Sequence, residues 1–247
     1  MAPLRRISWA LPSYQAQPLT VCQHPMTSPA QSPDYPPAAF QETRREALLE
    51  FIRTVVFGQL IVGGPDGPIA CGLPFVVEEA AADAFTLEAH VPRANPLAQY
   101  HGCRALALFQ GPHAYIRPGW YPTKAHTGRV VPTWDYMVVH VRGGLEILEA
   151  KTAMRRHLDA LTAQQERPFP DPWAPSDAPP AYVDGLMNGI VGVRLRVTAL
   201  EGIWKLSQNH PEANRRGLIE GLRALDSPDG HAIAAAVAEA SMPASKA

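Results

Sequence analysis

The chain has 247 residues, 46% of them hydrophobic, and a formal net charge of −1 at pH 7. That length suits one large barrel domain or two small ones, and the charge excludes a global pull toward nucleic acid, so any DNA contact needs a local basic patch. Cys22, Cys71 and Cys103 fit neither an all-paired disulfide framework nor a zinc spacing, so a cytoplasmic setting is the simplest, and no apolar run approaches the roughly 20 residues of a membrane span.

Residues 1–34 carry few charges and frequent Pro, Ser and Gln, which predicts a poorly ordered N-terminal extension. Ala47, Leu48, Phe51 and Ile52 recur near helical spacing, which predicts a helix over 42–54 capped by Thr43. Val55–Val62, the turn from Gly63 to Gly67, and Ile69–Val77 then read as a hairpin. Phe85–Val91 alternates as a third strand. Asn95 before Pro96 has the signature of a helix cap, and a helix start favours phosphate. Arg93 adds a fork of donors beside it. Arg93 and Asn95 are therefore phosphate candidates; a plain cap beside a surface arginine is the alternative.

Arg104–Gln110 reads as a strand and Ala114–Ile116 as a short extended piece. The stretch from Gln110 to Tyr136 holds two Trp, three Tyr, four Pro and two His together with Arg117, Lys124 and Arg129. Prolines prevent a long helix here, so the aromatics sit on strand ends and loops. Flat rings with polar tips beside fixed cations suit an aromatic anion such as a nucleotide or flavin phosphate. They suit equally a loop that plugs a barrel end. Val130–Leu148 is the longest strand-like run, with a break expected at Gly143-Gly144. Its parity puts Trp134, Tyr136, Val138 and His140 on one face and Thr133, Asp135, Met137, Val139 and Val141 on the other.

Lys151–Glu166 is an amphipathic helix, with Arg155, Arg156 and Asp159 as a solvated face and His157 as a surface residue. A proline-rich connector from Pro168 to Ala181 follows, with Asp177 capping a helix over 178–189. Ile190–Leu206 is the last long strand. It offers Arg194 and Arg196 to solvent, a partner or DNA. Lys205, Ser207, Gln208 and Asn209 gather polar groups at its end, and Ser207 or Asn209 is a candidate cap before Pro211. Helices over 212–225 and 232–240 close the chain. Their connector is too long for a helix-turn-helix, and the second helix lacks Arg and Lys.

The usual nucleophile, phosphate-loop, zinc-protease and dinucleotide motifs are absent, so no catalytic or metal-ligating residue is assigned. Any chemistry falls to a cofactor, with the protein supplying orientation.

GPHAYIRPGWYPTK followed by GRVVPTWDY resembles the core of the PaiB-like FMN-binding negative transcriptional regulators. FGQLIV, DGPIACGLPF, AHVPRANP and LEGIWKLSQN match in the same order. The resemblance runs from about Tyr35 to Asp226. It implies an α+β, mainly β fold: an FMN-binding split β-barrel with flanking helices over 35–226, followed by a C-terminal helix and tail over 227–247. It implies a homodimer with FMN near the subunit interface. The cofactor-binding residues implied are Arg93, Asn95, Tyr115, Trp120, Tyr121, Lys124, Thr133, Trp134, Lys205, Ser207 and Gln208. The function implied is a repressor with DNA as a partner. A flavin-dependent oxidoreductase or haem-degrading enzyme of similar fold, and a cofactor-free interaction module, are the alternatives. Arg117, Gly119 and Thr123 stand where the family has serines, and three further positions depart from its pattern. Pro92 removes an N–H, Ile203 replaces a lysine, and Asp135 replaces an asparagine and would repel a nearby flavin phosphate.

Overall fold

The computed structural model of the protein describes residues 35–80 and 84–241. The expected N-terminal extension lies outside them. The chain enters through a 3-10 turn, Ala38–Phe40, and a two-residue strand β1, Gln41–Glu42. Helix α1 is Arg45–Val55 and begins later than the spacing predicts. Glu42 is held back because it pairs with Gly202. Its carboxylate accepts from the Arg44 backbone N–H at 2.7 Å. Thr43 caps nothing; no side-chain cap bond closes this helix start.

Seven further strands follow: β2 Phe57–Gly64, β3 Gly67–Pro74, β4 Val76–Glu79, β5 Phe85–Pro92, β6 Arg104–Ile116, β7 Thr133–Leu148 and β8 Ile190–Lys205. Pairing is antiparallel throughout, in the order β3-β2-β6-β7-β8-β5-β4, with β1 added to β8. The single strand expected over 69–77 is therefore two strands at opposite edges of the sheet. Only Phe75 separates them. The two edges must meet there, so the sheet rolls into a barrel that splits at Phe75. That residue is 1% exposed, and its N–H donates to the Val56 carbonyl. Val56 itself takes φ 57°, a costly conformation for a β-branched residue, where α1 turns into the barrel.

Two expected breaks are bulges. β6 runs through Gly111 with a register shift between Gln110 and His113. β7 runs through Gly143-Gly144 with a shift opposite β8. A Cβ on Gly143 would meet the Arg196 carbonyl oxygen at 2.0 Å, so glycine permits the close approach.

The alternation along β7 is as expected: Asp135, Val139, Val141 and Leu145 are buried. Val139, Val141 and Leu145 join Leu60, Leu87, Phe109, Val191 and Leu195 in the barrel core, with Leu48, Leu49 and Ile52 of α1 packed against it. A second core lies beyond the barrel end. Ala114 and Ile116 of β6 pack there against Leu218 and Leu222 of helix α5, Glu212–Arg223, and Ile233 and Val237 of helix α6, Pro228–Ala240. This second core fixes the aromatic stretch between β6 and β7.

Helix α2 is Lys124–Thr127 and helix α3 is Lys151–Glu166. Asp177 caps a 3-10 turn, accepting from the Ala174 N–H at 2.9 Å, and helix α4 begins at Pro180 and ends at Met187. α3 corrects the expectation of a solvated face. His157 is 1% exposed, with its Nε2 3.0 Å from His90 Nδ1 on β5. Arg156 reaches Glu88, which is also 1% exposed, at 2.9 Å. Arg194 bonds the same carboxylate oxygen at 2.8 and 2.5 Å, and Arg196 pairs with Glu146. The two β8 arginines are thus committed to carboxylates.

Candidate functional site

The first residues of β7 and the last of β8 lie side by side, with Tyr136 opposite Lys205. Lys205 Nζ donates to Thr133 Oγ1 at 2.7 Å and to the Trp134 carbonyl at 2.5 Å, and stands 3.4 Å from Asp135 Oδ1. Asp135 is fully buried. Ser207 Oγ donates to its other oxygen at 2.7 Å. Ser207 is itself buried and holds φ 56°, so backbone strain is spent on this contact. Ser207 therefore does not cap α5; Pro211 stands at that cap without a side-chain bond. Burial raises the Asp135 pKa, opposed by Ser207, Lys205 and His210. Asp135 lines neither of the grooves beside it. This carboxylate faces inward and is held by its own partners.

Thr133 and Trp134 point to opposite faces of β7, as strand parity requires. Each borders a groove. On the Thr133 side a groove of about 480 Å³ is lined by Arg129, Thr133, Lys205, Asn209 and His210, with no carboxylate in its wall. On the Trp134 side a groove of about 420 Å³ is lined by His113, Tyr115, Arg117, Trp120 and Trp134, with Asp229 opposite. Trp134 is 52% exposed and Tyr115 48%. Their rings meet edge-on at 6.2 Å, and His113 lies 5.4 Å from Trp134.

The other sequence candidates divide. Trp120 packs flat on α5: a Cβ on Gly221 would lie 2.3 Å from its indole. Tyr121 is buried in the second core and stacked on His210 at 4.9 Å. Gln208 closes its own turn, accepting from the Leu206 N–H and donating to the Trp204 carbonyl. Lys124 is exposed, and among the described residues its side chain has no ion pair or hydrogen bond. Asn95 accepts from the Leu97 N–H at 2.9 Å and donates toward Cys71 Sγ at 3.5 Å. Its cap closes only a four-residue 3-10 turn, Pro96–Gln99, too short to carry a strong dipole. Arg93 donates to the Asn188 and Ile190 carbonyls and pairs with Glu149 at 3.9 Å.

Arg93 and Asn95 therefore stand by the start of β8, while Thr133, Trp134 and Lys205 stand by its end. The 16 residues of Ile190–Lys205 cover about 50 Å of strand path at the usual rise. Within one chain these groups border different ends of the barrel. Arg129 and His210 complete the Thr133-side groove, and the sequence analysis assigned them no role. Arg129 carried the only signal, as one of the cations of the aromatic stretch.

Residues 34–199 match the family described as "Putative FMN-binding domain". The chain belongs to this family. Its cofactor is FMN, and the expected split barrel is the fold observed. The protease synthase and sporulation protein PAI 2 of Bacillus subtilis is 30% identical over 81% of this chain and 94% of its own length. An uncharacterized protein of Aspergillus fumigatus is 31% identical over 82% of this chain and 95% of its own. Among solved structures, the FAD and heme binding protein from Mycobacterium smegmatis aligns with a TM-score of 0.48 and 16% identity, over 67% of this chain and 73% of that one. No helix among the described residues is long and apolar enough to cross a membrane.

The residues present fit FMN by the chemistry of the donor set. A phosphate needs cations and hydroxyl donors away from carboxylates, and the Thr133-side groove has that lining. A flavin ring needs flat apolar faces, and Tyr115 and Trp134 present theirs to solvent.

Proposed function

We propose that the protein is an FMN-binding homodimer whose flavin site lies at the end of the barrel formed by the start of β7 and the end of β8. The observation that carries this is the exposed Tyr115–Trp134 pair on one face of the β7 start and, on the other face, a cation groove that lacks carboxylates, so that a flavin passing round the strand end would meet both. When bound, FMN supplies redox chemistry or a redox-dependent signal. Tyr115 and Trp134 would contact the ring, and Thr133 and Lys205 would position its polar tail. Lys124 is exposed on α2 and lines neither groove. Arg93 and Asn95 can share the flavin only from a second copy of the chain.

A surface for that second copy is at hand. The outer faces of β2, β6 and β7 carry Ile61, Leu106, Leu108 and Val138, all half-buried in a single chain; Ile61 is opposite Leu106, and Gln59, His140 and Gln110 interleave with the others. The Arg142–Glu201 ion pair stands at its border. An apolar sheet face of this kind is suited to burial against a copy of itself. The test is direct. FMN added to the purified protein should remain after desalting, and the protein should sediment as a dimer. Leu108→Arg should give a folded monomer with weakened FMN retention. A flavin-free monomer in the wild type would refute the proposal.

The regulatory role follows from the resemblance to PaiB-like regulators, with the 30% identity to PAI 2 in support. Ligand or redox state would shift dimer geometry, and with it affinity for a partner. DNA contact would not run through Arg194 and Arg196 of β8, nor through Arg215 and Arg216 of α5. Arg194 and Arg196 are in ion pairs, Arg215 donates to Ser241 Oγ, and Arg216 pairs with Glu212. Retardation of promoter DNA that changes between oxidised and reduced flavin would support the role; no retardation at low salt would remove it. The oxidoreductase alternative has the exposure of the Tyr115–Trp134 shelf in its favour, because a second substrate could reach a ring held there. Bleaching of bound flavin by NAD(P)H would support it.

A further inference from the structure

We infer that the Thr133-side groove is a phosphate-monoester site in which Arg129 is the principal binding cation, with His210 and Lys205 beside it. The inference rests on the FMN reading and adds to it which end of the ligand this groove takes and which residue holds it. It also moves the phosphate away from Arg93 and Asn95.

Availability of charge is the first argument. Arg93 already serves two backbone carbonyls and Glu149, and Asn95 has both ends of its amide occupied. Arg129 is exposed, and among the described residues its side chain has no ion pair or hydrogen bond. A guanidinium with its full fork of donors free is the group best matched to phosphate geometry.

The wall of the groove is the second argument. Lys205 already donates to Thr133, Trp134 and Asp135, so it adds a fixed positive charge to the wall and leaves the direct donors to Arg129 and His210. His210 is held by its stack on buried Tyr121. Burial lowers the His210 pKa, against the pull of Asp135, so the ring can donate one hydrogen bond to an oxygen without carrying charge. The Asn214 side chain and the Thr123 hydroxyl, 2.9 Å apart, tie the loop before Arg129 to α5. The groove is therefore held open by contacts that need no ligand. Asp135 is the nearby acid, and it is fully buried and bonded to Ser207 and Lys205. A carboxylated ligand would meet the same cations, but a phosphate monoester brings a second charge and three acceptors to them.

The test compares FMN with riboflavin, which lacks the phosphate, by flavin fluorescence on wild-type protein and Arg129→Gln. The substitution should cost FMN about ten-fold or more in affinity and leave riboflavin unchanged. Inorganic phosphate should compete with FMN and not with riboflavin. Arg129 is exposed, so a melting curve matching the wild type is expected; His210→Gln provides a second variant with a smaller loss in the same direction. Equal FMN affinity in wild type and both variants overturns the phosphate assignment while leaving FMN binding intact. If the wild type binds no FMN, the FMN reading fails. Inorganic phosphate then decides the groove by itself: ³¹P line broadening with wild type and not with Arg129→Gln supports it, and equal spectra overturn it.

Discussion

Two clusters of charge lie at opposite places on this barrel, and they are built differently. Under α3, Glu88 accepts from Arg156 and Arg194 and is 1% exposed, beside the His90–His157 contact. At the barrel end, Arg129 and Lys124 stand free among the described residues, next to two large exposed rings. The first cluster has its charges paired, with its carboxylate removed from water. The second presents cations and aromatic faces to whatever arrives. Arginine count along the sequence favours the β8 arginines as a contact surface; pairing state assigns them to structure.

The comparison breaks most visibly at Glu88. Glu88→Ala removes a buried carboxylate that two arginines bond, while Arg156 can turn to solvent and Arg194 keeps Glu146, so it should cost about 1–3 kcal/mol in chemical denaturation. FMN affinity of the folded fraction should stay unchanged. A loss of FMN binding equal to that of a rim variant would merge the two clusters into one.

Acid should act on the same cluster. Burial lowers the His157 pKa from 6.5 to about 4, with His90 adding to the effect and Glu88 opposing it. The native state thus holds this ring neutral, and the unfolded chain binds the proton first. Stability should therefore fall as pH drops from about 6.5 toward 4, by an amount on the order of 3 kcal/mol. His157→Gln should flatten that slope in urea melts across the window. An unchanged slope would locate the acid sensitivity elsewhere.

At the rim the expected effects on stability are no larger. Ser207→Ala leaves the buried Asp135 carboxylate short of a donor, at a cost of about 1–3 kcal/mol. Asp135→Asn acts in the other direction. The Asp135 pKa is raised by burial, so its ionised form is disfavoured in the native state. Native Asp135 takes its proton before the unfolded chain does, and stability declines as pH rises from the ordinary carboxylate range through the raised value. The Asn variant should accordingly melt higher at pH 7 and match the wild type in strong acid. A lower melting temperature at pH 7 would show that the Lys205 ion pair outweighs burial.

Most of the fold was legible because strand parity and turn residues are local. The alternation of Asp135, Val139 and Val141 against Trp134 and Val138 followed from period two alone. The division of 69–77 into β3 and β4 was not legible, since closure at Phe75 depends on which distant strands form the sheet edges. Gly143-Gly144 reads equally as a break or a bulge until β8 is placed opposite. His157 looked like a surface residue because the helix pattern places it near charges, and only the packing of α3 on β5 buries it. For the site, Lys205 meets Thr133 and the Trp134 carbonyl, while the Trp134 ring faces the other groove. Tyr121 does not reach the surface, because its ring is needed under His210 in the second core. His210 carried no signal: its place depends on where α5 docks.

The central claim is that the barrel end with Trp134 and Lys205 holds flavin while the cluster under α3 does not. FMN titration of wild-type protein, Trp134→Ala and His157→Gln, followed by absorbance after desalting, tests it most directly. The account predicts flavin bands retained by wild type and His157→Gln and lost or strongly weakened in Trp134→Ala. Equal retention in Trp134→Ala and wild type, or loss in His157→Gln with the fold intact, would contradict it.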